Sequence, residues 1–210
     1  MKTSPLRPHQ AVRDESSRFI APDFQKPFDL DAELAAIPKT ATVRGMFIGM
    51  INDHARSVLG HPLSDDDPHA FGSIPARDYL TLVAKAAQTF HPAVPPREGI
   101  RRLGQRVFSD FNENMVGKAI FAVAGKSFDR LAQLAPKAYE VSYAPCSVRS
   151  MIRAPGHVHV VFEPMYILPE CFHIGAWEDA ARFCGGTVRV LHSVATEPGH
   201  MEYDITFSKA

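Results

Sequence analysis

The sequence predicts an α+β fold in which N-terminal helices form a layer on a four-stranded antiparallel sheet. From Ala144 to Ser208, apolar and polar residues mostly alternate, as they do in half-buried strands, whereas the residues before them show helical spacing. Turn sequences at Ala154-Pro155-Gly156 and Glu197-Pro198-Gly199 close two hairpins. Apolar residues recur every three or four positions in residues 169–186, between the hairpins, so the predicted order is strand, strand, helix, strand, strand.

The alternation is clearest in the last strand, whose apolar face carries Met201, Tyr203, Ile205 and Phe207. An earlier run places Val158, Val160 and Phe162 on one face and polar residues on the other. Residues 187–191 have the β-branched content of a further strand. Each of these strands therefore offers one face to a core.

The apolar spacing before the sheet predicts a series of helices. Their ranges are 29–37, 40–59, 76–90, 97–112 and 115–124, followed by a helix that Ser127 caps and that Pro136 ends or kinks. The 115–124 helix is apolar nearly all round, so we expect it at the centre of the protein. Residues 1–28, rich in proline and charge, predict an extended or partly disordered arm. Residues 29–210 are expected to form one domain, with a helical part (29–139) and a sheet part (140–210).

Composition argues against several functional classes. Lysine plus arginine and aspartate plus glutamate number 23 each, so the formal charge is zero and we expect no nucleic-acid partner. No apolar run has the length of a membrane span, and the N-terminus lacks the apolar segment of a secretory signal. We therefore expect a cytoplasmic protein whose three cysteines are reduced thiols.

The sequence contains no catalytic or metal-binding signature that we can assign. Phosphate loops, dinucleotide fingerprints and hydrolase motifs do not occur, so we expect a protein that is not an enzyme, and no cofactor can be named. His157 and His159 share a strand face at a spacing that zinc sites use, but no third ligand lies nearby in sequence. We therefore interpret them as exposed strand histidines.

Several short motifs resemble those of an uncharacterised paralogous family expanded in myxobacteria, over a region from about Pro38 to the C-terminus. They are Thr42-x-Arg44-Gly45-Met46-Phe47, Tyr79-Leu80, Ala86-Ala87, His91-Pro92, Arg102-Leu103-Gly104, Gly117-Lys118 and Pro136-x-x-Tyr139. That family is distantly similar to the H-NOX haem domain, to the vinyl-reductase-type ligand domain and to the TRAPP Bet-type trafficking subunits. The resemblance implies helices followed by a strand-strand-helix-strand-strand sheet.

The H-NOX resemblance also implies particular ligand contacts. H-NOX domains hold haem through an axial histidine on a helix before the sheet and bind its propionates with a Tyr-x-Ser-x-Arg motif. The matching stretch here is Pro145-Cys146-Ser147-Val148-Arg149, which keeps the serine and the arginine. No histidine occurs between His91 and His157, so the 115–124 helix does not supply an axial ligand.

Our preferred hypothesis is a non-enzymatic sensor or small-molecule-binding module with an apolar pocket between the helices and the sheet. The predicted ligand-binding residues are Cys146, Ser147 and Arg149, with Phe47, Phe121 and Met151 lining the apolar part. Arg149 would pair with a carboxylate or phosphate, so the ligand is expected to be apolar or anionic. Two alternatives remain open: a protein-interaction module that pairs with a partner or a second copy, and a haem or gas sensor.

Overall fold

The computed structural model describes residues 18–66, 68–193, 197 and 199–210. Residues 1–17 of the predicted arm, and Pro198 of the second predicted turn, lie outside these ranges.

The described chain contains seven α-helices and eight strands. The helices are α1 (Leu30–Ala36), α2 (Met46–Leu59), α3 (Ala76–Phe90), α4 (Pro96–Glu113), α5 (Met115–Phe121), α6 (Phe128–Ser142) and α7 (Ile174–Phe183). The strands are β1 (Phe19–Ile20), β2 (Thr42–Arg44), β3 (Ser73–Pro75), β4 (Tyr143–Ala144), β5 (Val148–Ala154), β6 (His157–Phe162), β7 (Gly186–Ser193) and β8 (Met201–Lys209). A π-helical turn, Pro169–His173, leads directly into α7.

The main sheet has five antiparallel strands in the order β1-β7-β8-β6-β5. It contains the four predicted strands, with α7 between the two hairpins, and so confirms the predicted α+β class. The fifth strand, β1, comes from the segment that was predicted to be an arm and pairs Phe19 with Ser193 of β7. Along β6 and β8, Val160 lies opposite Tyr203, and both side chains are fully buried on the inner face of the sheet.

A second, smaller sheet with the order β3-β2-β4 corrects the prediction of a continuous helix over residues 40–59. Val43 pairs with Ile74 and with Tyr143, so these residues are extended, and the helix begins only at Met46. Gly45 marks the change, because a β-carbon there would lie 2.5 Å from the carbonyl oxygen of His69. A larger side chain at this position would therefore collide with the following loop.

The prediction that the 115–124 helix is central was wrong. The helix α5 covers Met115–Phe121, and only Gly117 and Phe121 of it are buried. Met115 is 72% exposed, and Val123, beyond the helix, is 73% exposed. Because a β-carbon at Gly117 would collide with the carbonyl oxygen of Phe111, α5 lies flush against the end of α4 and touches the core with one narrow face.

The interpretation of His159 as an exposed strand histidine was also wrong, since it is only 6% exposed. The ring of Phe19 in β1 packs edge-on against the imidazole, with 5.9 Å between ring centres. The Nε2 atom of His159 lies 2.9 Å from a carboxylate oxygen of Glu202 in β8. The N-terminal segment thus covers a part of the sheet that was predicted to be exposed to solvent.

Two close contacts fix the helices that surround the core. The helices α4 and α7 meet at Gly104 and Gly175, where a β-carbon on either residue would collide with main-chain atoms of the opposite segment. Arg97, whose side chain is 6% exposed, joins Glu33 of α1 at 2.8 Å and also pairs with Glu170 of the π-helical turn. Within the described ranges, no helix is both long and apolar enough to cross a membrane.

Candidate ligand-binding site

A cavity of about 80 Å³ lies among α2, α4, α5, α6 and α7. Its lining comprises Phe47, Val107, Phe108, Phe111, Phe121, Leu131, Ala135, Ala138, Tyr139, Ser142, Tyr143, His173, Ala176, Trp177 and Ala180. The pocket was predicted between the helices and the sheet, but these residues place the cavity inside the helical layer, with only Tyr143 contributed by a strand.

The walls of the cavity follow from helical spacing. Leu131, Ala135 and Ala138 recur every three or four residues on α6 and present one face to the cavity. The helix was predicted to end or kink at Pro136, and it does not end there but continues to Ser142. An interior proline costs roughly 3 kcal/mol, and burial of the apolar α6 face offsets that cost. The small alanine side chains on α6 and α7 leave the space that forms the cavity.

Two nitrogen-bearing side chains line this apolar space. His173 and Trp177 are four residues apart, so they lie on the same helical face. Among the described residues, neither the Nε2 atom of His173 nor the Nε1 atom of Trp177 has a hydrogen-bond partner, and both atoms are buried. Leaving a buried polar group unpaired costs about 1–3 kcal/mol, so such pairs are uncommon in a core that has only a structural role.

The His173 side chain is uncharged. Burial lowers its pKa to about 3, because the charged imidazolium would lose its hydration in this apolar surrounding. The rings of Tyr139 and Tyr143 pack edge-on against it, at centre-to-centre distances of 5.1 and 5.4 Å. Burial also raises the pKa values of both phenols, so they remain protonated. The cavity therefore has polar groups but no charge.

The backbone beside His173 is irregular. Leu168, at the start of the π-helical turn, has φ 42° and ψ 59°, a left-handed conformation that is unfavourable for leucine. π-Helical turns and backbone strain both occur frequently at functional sites. The irregular backbone thus coincides with the side chains that have unpaired nitrogens.

The remaining polar contacts around the cavity are internal to the protein. The hydroxyl of Ser142 donates a hydrogen bond to the carbonyl oxygen of Ala138 at 2.6 Å. The indole N–H of Trp177 approaches the phenol oxygen of Tyr139 and opposes the rise of its pKa, but it does not reach hydrogen-bonding geometry. The imidazole of His173, the indole of Trp177 and the phenol hydroxyls of Tyr139 and Tyr143 are therefore the polar groups that the lining has to offer a ligand.

The structure brings together two of the six residues predicted to bind a ligand. Phe47 and Phe121 line the cavity, whereas Cys146, Ser147, Arg149 and Met151 are absent from the lining. Ser147, Arg149 and Met151 occupy alternate positions and are exposed, whereas Val148 between them is buried. Pairing with β6 turns these alternate positions away from the helices. The side chain of Arg149 is 64% exposed and forms an ion pair with Glu163 at 3.0 Å.

Cys146 is half-buried, and its thiol is weakly reactive. Burial, with a smaller contribution from the carboxylate of Glu140, raises the pKa of its thiol to about 12. The thiolate is the nucleophilic form of cysteine, so this residue does not have the properties of a catalytic nucleophile. No group of three histidine, cysteine, aspartate or glutamate side chains within the described part of the chain could hold a metal ion.

Sequence reasoning missed His173. The apolar residues that predicted a helix within residues 169–186 include Trp177, and His173 precedes it by one turn on the same stripe. A histidine at that position was the available signal, because the stripe was already predicted to face the core.

Comparison with known proteins assigns a family to this chain. A family described as "Protein of unknown function (DUF2378)" matches residues 36–208. The chain belongs to this family. The match confirms the resemblance to an uncharacterised family, and no curated protein matches the chain.

The fold of this DUF2378 member is similar to that of H-NOX domains. An H-NOX protein from S. oneidensis in the Fe(II)NO ligation state has a TM-score of 0.62 and 14% identity, covering 79% of this chain and 99% of the other. The Fe(II) unliganded H-NOX protein from K. algicida has a TM-score of 0.58 and 10% identity, covering 80% and 97%. A structure from work on haem distortion in the H-NOX family has a TM-score of 0.60 and 14% identity, covering 79% and 95%. These similarities confirm the predicted H-NOX-like fold.

Proposed function

We propose that this protein is a non-enzymatic sensor or small-molecule-binding module and that its ligand occupies the cavity among the helices. The observation that carries the proposal is the pair of buried, unpartnered nitrogens of His173 and Trp177 in a mostly apolar and aromatic lining. Pockets for small molecules are typically apolar and aromatic, with a few polar groups that orient the ligand. The H-NOX-like fold supports the same proposal, because the similar structures include one with NO bound to its iron.

The lining favours a neutral ligand over an anionic one. The anionic alternative depended on Arg149, which lies on the exposed face of β5 and pairs with Glu163. None of the cavity-lining residues carries a charge, because the imidazole of His173 is neutral. A buried anion without a cationic partner would be strongly destabilised, so the proposed ligand is uncharged.

The residues present do not fit haem. Pockets for drug-sized ligands span roughly 300–1,000 Å³, and haem is larger than most such ligands, whereas this cavity measures about 80 Å³. Aromatic rings fill the neighbouring space: Phe47 stacks on Phe111 and on Tyr143, with ring centres 6.1 and 5.6 Å apart. The lining also lacks a cation to pair with propionates. The proposal therefore does not include haem.

Xenon binding tests the proposal, because xenon enters small apolar cavities without needing a polar contact. The chemical shift of ¹²⁹Xe in protein solution is expected to show a saturable site. Ala180→Leu fills the cavity from α7, and Ala138→Leu fills it from α6, so either variant should abolish that site. Ala35→Leu on the exposed face of α1 is the matched control and should retain it. Xenon binding that is absent, or that survives both filling variants, would rule out the cavity as a binding site.

A further inference from the structure

The size of the cavity limits what it can hold. An apolar cavity of about 150 Å³ takes up benzene, which has six carbon atoms. The cavity here measures about 80 Å³, which corresponds to roughly three or four non-hydrogen atoms at the same density. Two of its walls, α4 and α7, are held together at the contact of Gly104 with Gly175, so expansion between these two helices would require their separation.

The unpaired nitrogens of His173 and Trp177 indicate which hydrogen bonds a bound ligand should make. The indole N–H of Trp177 is only a donor. The Nε2 atom of the neutral His173 ring is an acceptor in one tautomer and a donor in the other. A hydroxyl group complements both residues in either case, because it accepts through its oxygen and donates through its proton. The phenol hydroxyls of Tyr139 and Tyr143 can donate or accept, so they do not discriminate between these groups. A carbonyl group only accepts and would leave an accepting Nε2 atom unpaired, and a carboxylate would also bring a charge that nothing in the lining offsets.

Resting on the proposed function, we propose that the ligand is a compact, uncharged alcohol of about three or four non-hydrogen atoms, bound through His173 and Trp177. Its hydrocarbon part packs against the alanine and phenylalanine side chains of α4 and α6. Both nitrogens are buried, so binding includes a small rotation of the two side chains.

The sole tryptophan of the chain provides the assay, because the indole N–H of Trp177 gives a single, unambiguous ¹H–¹⁵N NMR signal. Propan-2-ol, acetone and acetate have the same number of non-hydrogen atoms and differ in donor capacity and charge. Very small ligands bind weakly, so the titrations extend into the millimolar range. Propan-2-ol is expected to shift the indole signal saturably, with affinity roughly ten-fold higher than that of acetone. Acetate is expected to leave the signal unchanged.

The variant His173→Phe distinguishes the contribution of the hydrogen bond from that of the apolar cavity. His173→Phe retains an aromatic side chain but removes the nitrogen, so its affinity for propan-2-ol should fall roughly ten-fold while xenon binding is preserved. The probe comparison in the unchanged protein does not depend on the folding of this variant. Equal affinities for propan-2-ol and acetone, or undiminished propan-2-ol binding by His173→Phe, would overturn the assignment of an alcohol. Xenon binding without propan-2-ol binding would also overturn it and leave the proposed function standing, whereas absence of both would refute the proposed function itself.

Discussion

His173 gives a sharp prediction for the pH dependence of stability. An unfolded chain has a histidine pKa of about 6.5, whereas burial lowers the pKa of His173 to about 3 in the folded protein. As the pH falls below 6.5, the unfolded state takes up this proton first. The contribution of the neutral ring to folding is therefore fully present above pH 6.5 and is lost as the pH falls towards 3.

The magnitude follows from the difference between the two pKa values. At 1.36 kcal/mol for each pKa unit, the fall from about 6.5 to about 3 amounts to roughly 4–5 kcal/mol. Between pH 6 and pH 4, His173 should contribute a slope of about 1.4 kcal/mol per pH unit to the free energy of unfolding. His173→Leu removes this slope.

The assay compares urea unfolding of the wild type and of His173→Leu at several pH values between 7.5 and 4, followed by far-ultraviolet circular dichroism. Other titratable groups, such as Asp179, whose pKa burial raises, are common to both proteins and cancel in the difference. Phe172→Leu, in the same π-helical turn, is the control, because it changes packing without changing a titratable group. Its stability curve should run parallel to that of the wild type. A parallel curve for His173→Leu would refute the conclusion that the ring is buried and neutral.

Three further predictions test other parts of the structure. Gly104→Ala should lower the melting temperature by about 6–12 °C, because the added methyl group collides with the main chain of Phe172. Gly49→Ala has open space at its β-carbon and should raise the melting temperature by about 2–4 °C through helix propensity. Equal effects of the two variants would contradict the close helix contact. Arg97→Met should reduce the free energy of unfolding, measured in urea, by about 3–5 kcal/mol, because it leaves the carboxylates of Glu33 and Glu170 without their shared cation. A loss below about 1 kcal/mol would show that these ion pairs contribute little to stability. Alkylation of Cys146 by iodoacetamide at pH 8 should proceed roughly a hundred-fold more slowly than alkylation of an exposed thiol, because a pKa of about 12 leaves little thiolate. An ordinary rate would contradict the burial of this thiol.

The elements that could be predicted from sequence are those long enough to show a period. β8 spans nine residues and places three fully or nearly fully buried side chains on one face, Met201, Tyr203 and Ile205. β1 and β2 have two and three residues, which is too few for alternation to be distinguished from helical spacing. Their partners lie far away in sequence, so tertiary pairing determines their conformation.

The candidate site was predictable only in part, for a related reason. Phe47 and Phe121 belong to apolar helical stripes, and such stripes indicate burial directly. For Arg149 the alternation of β5 shows only that residues 147, 149 and 151 share a face. Which face meets the helices depends on the pairing of Arg149 with Val161 and on the twist of the sheet, and local sequence does not specify either.

A crystal structure of the protein under xenon pressure would test the central claim most directly, because it would locate the site as well as detect binding. Xenon density is expected among α4, α6 and α7, in contact with the rings of Phe111 and Trp177. Side chains that fill this space, with xenon only at the protein surface, would contradict the presence of a ligand-binding cavity.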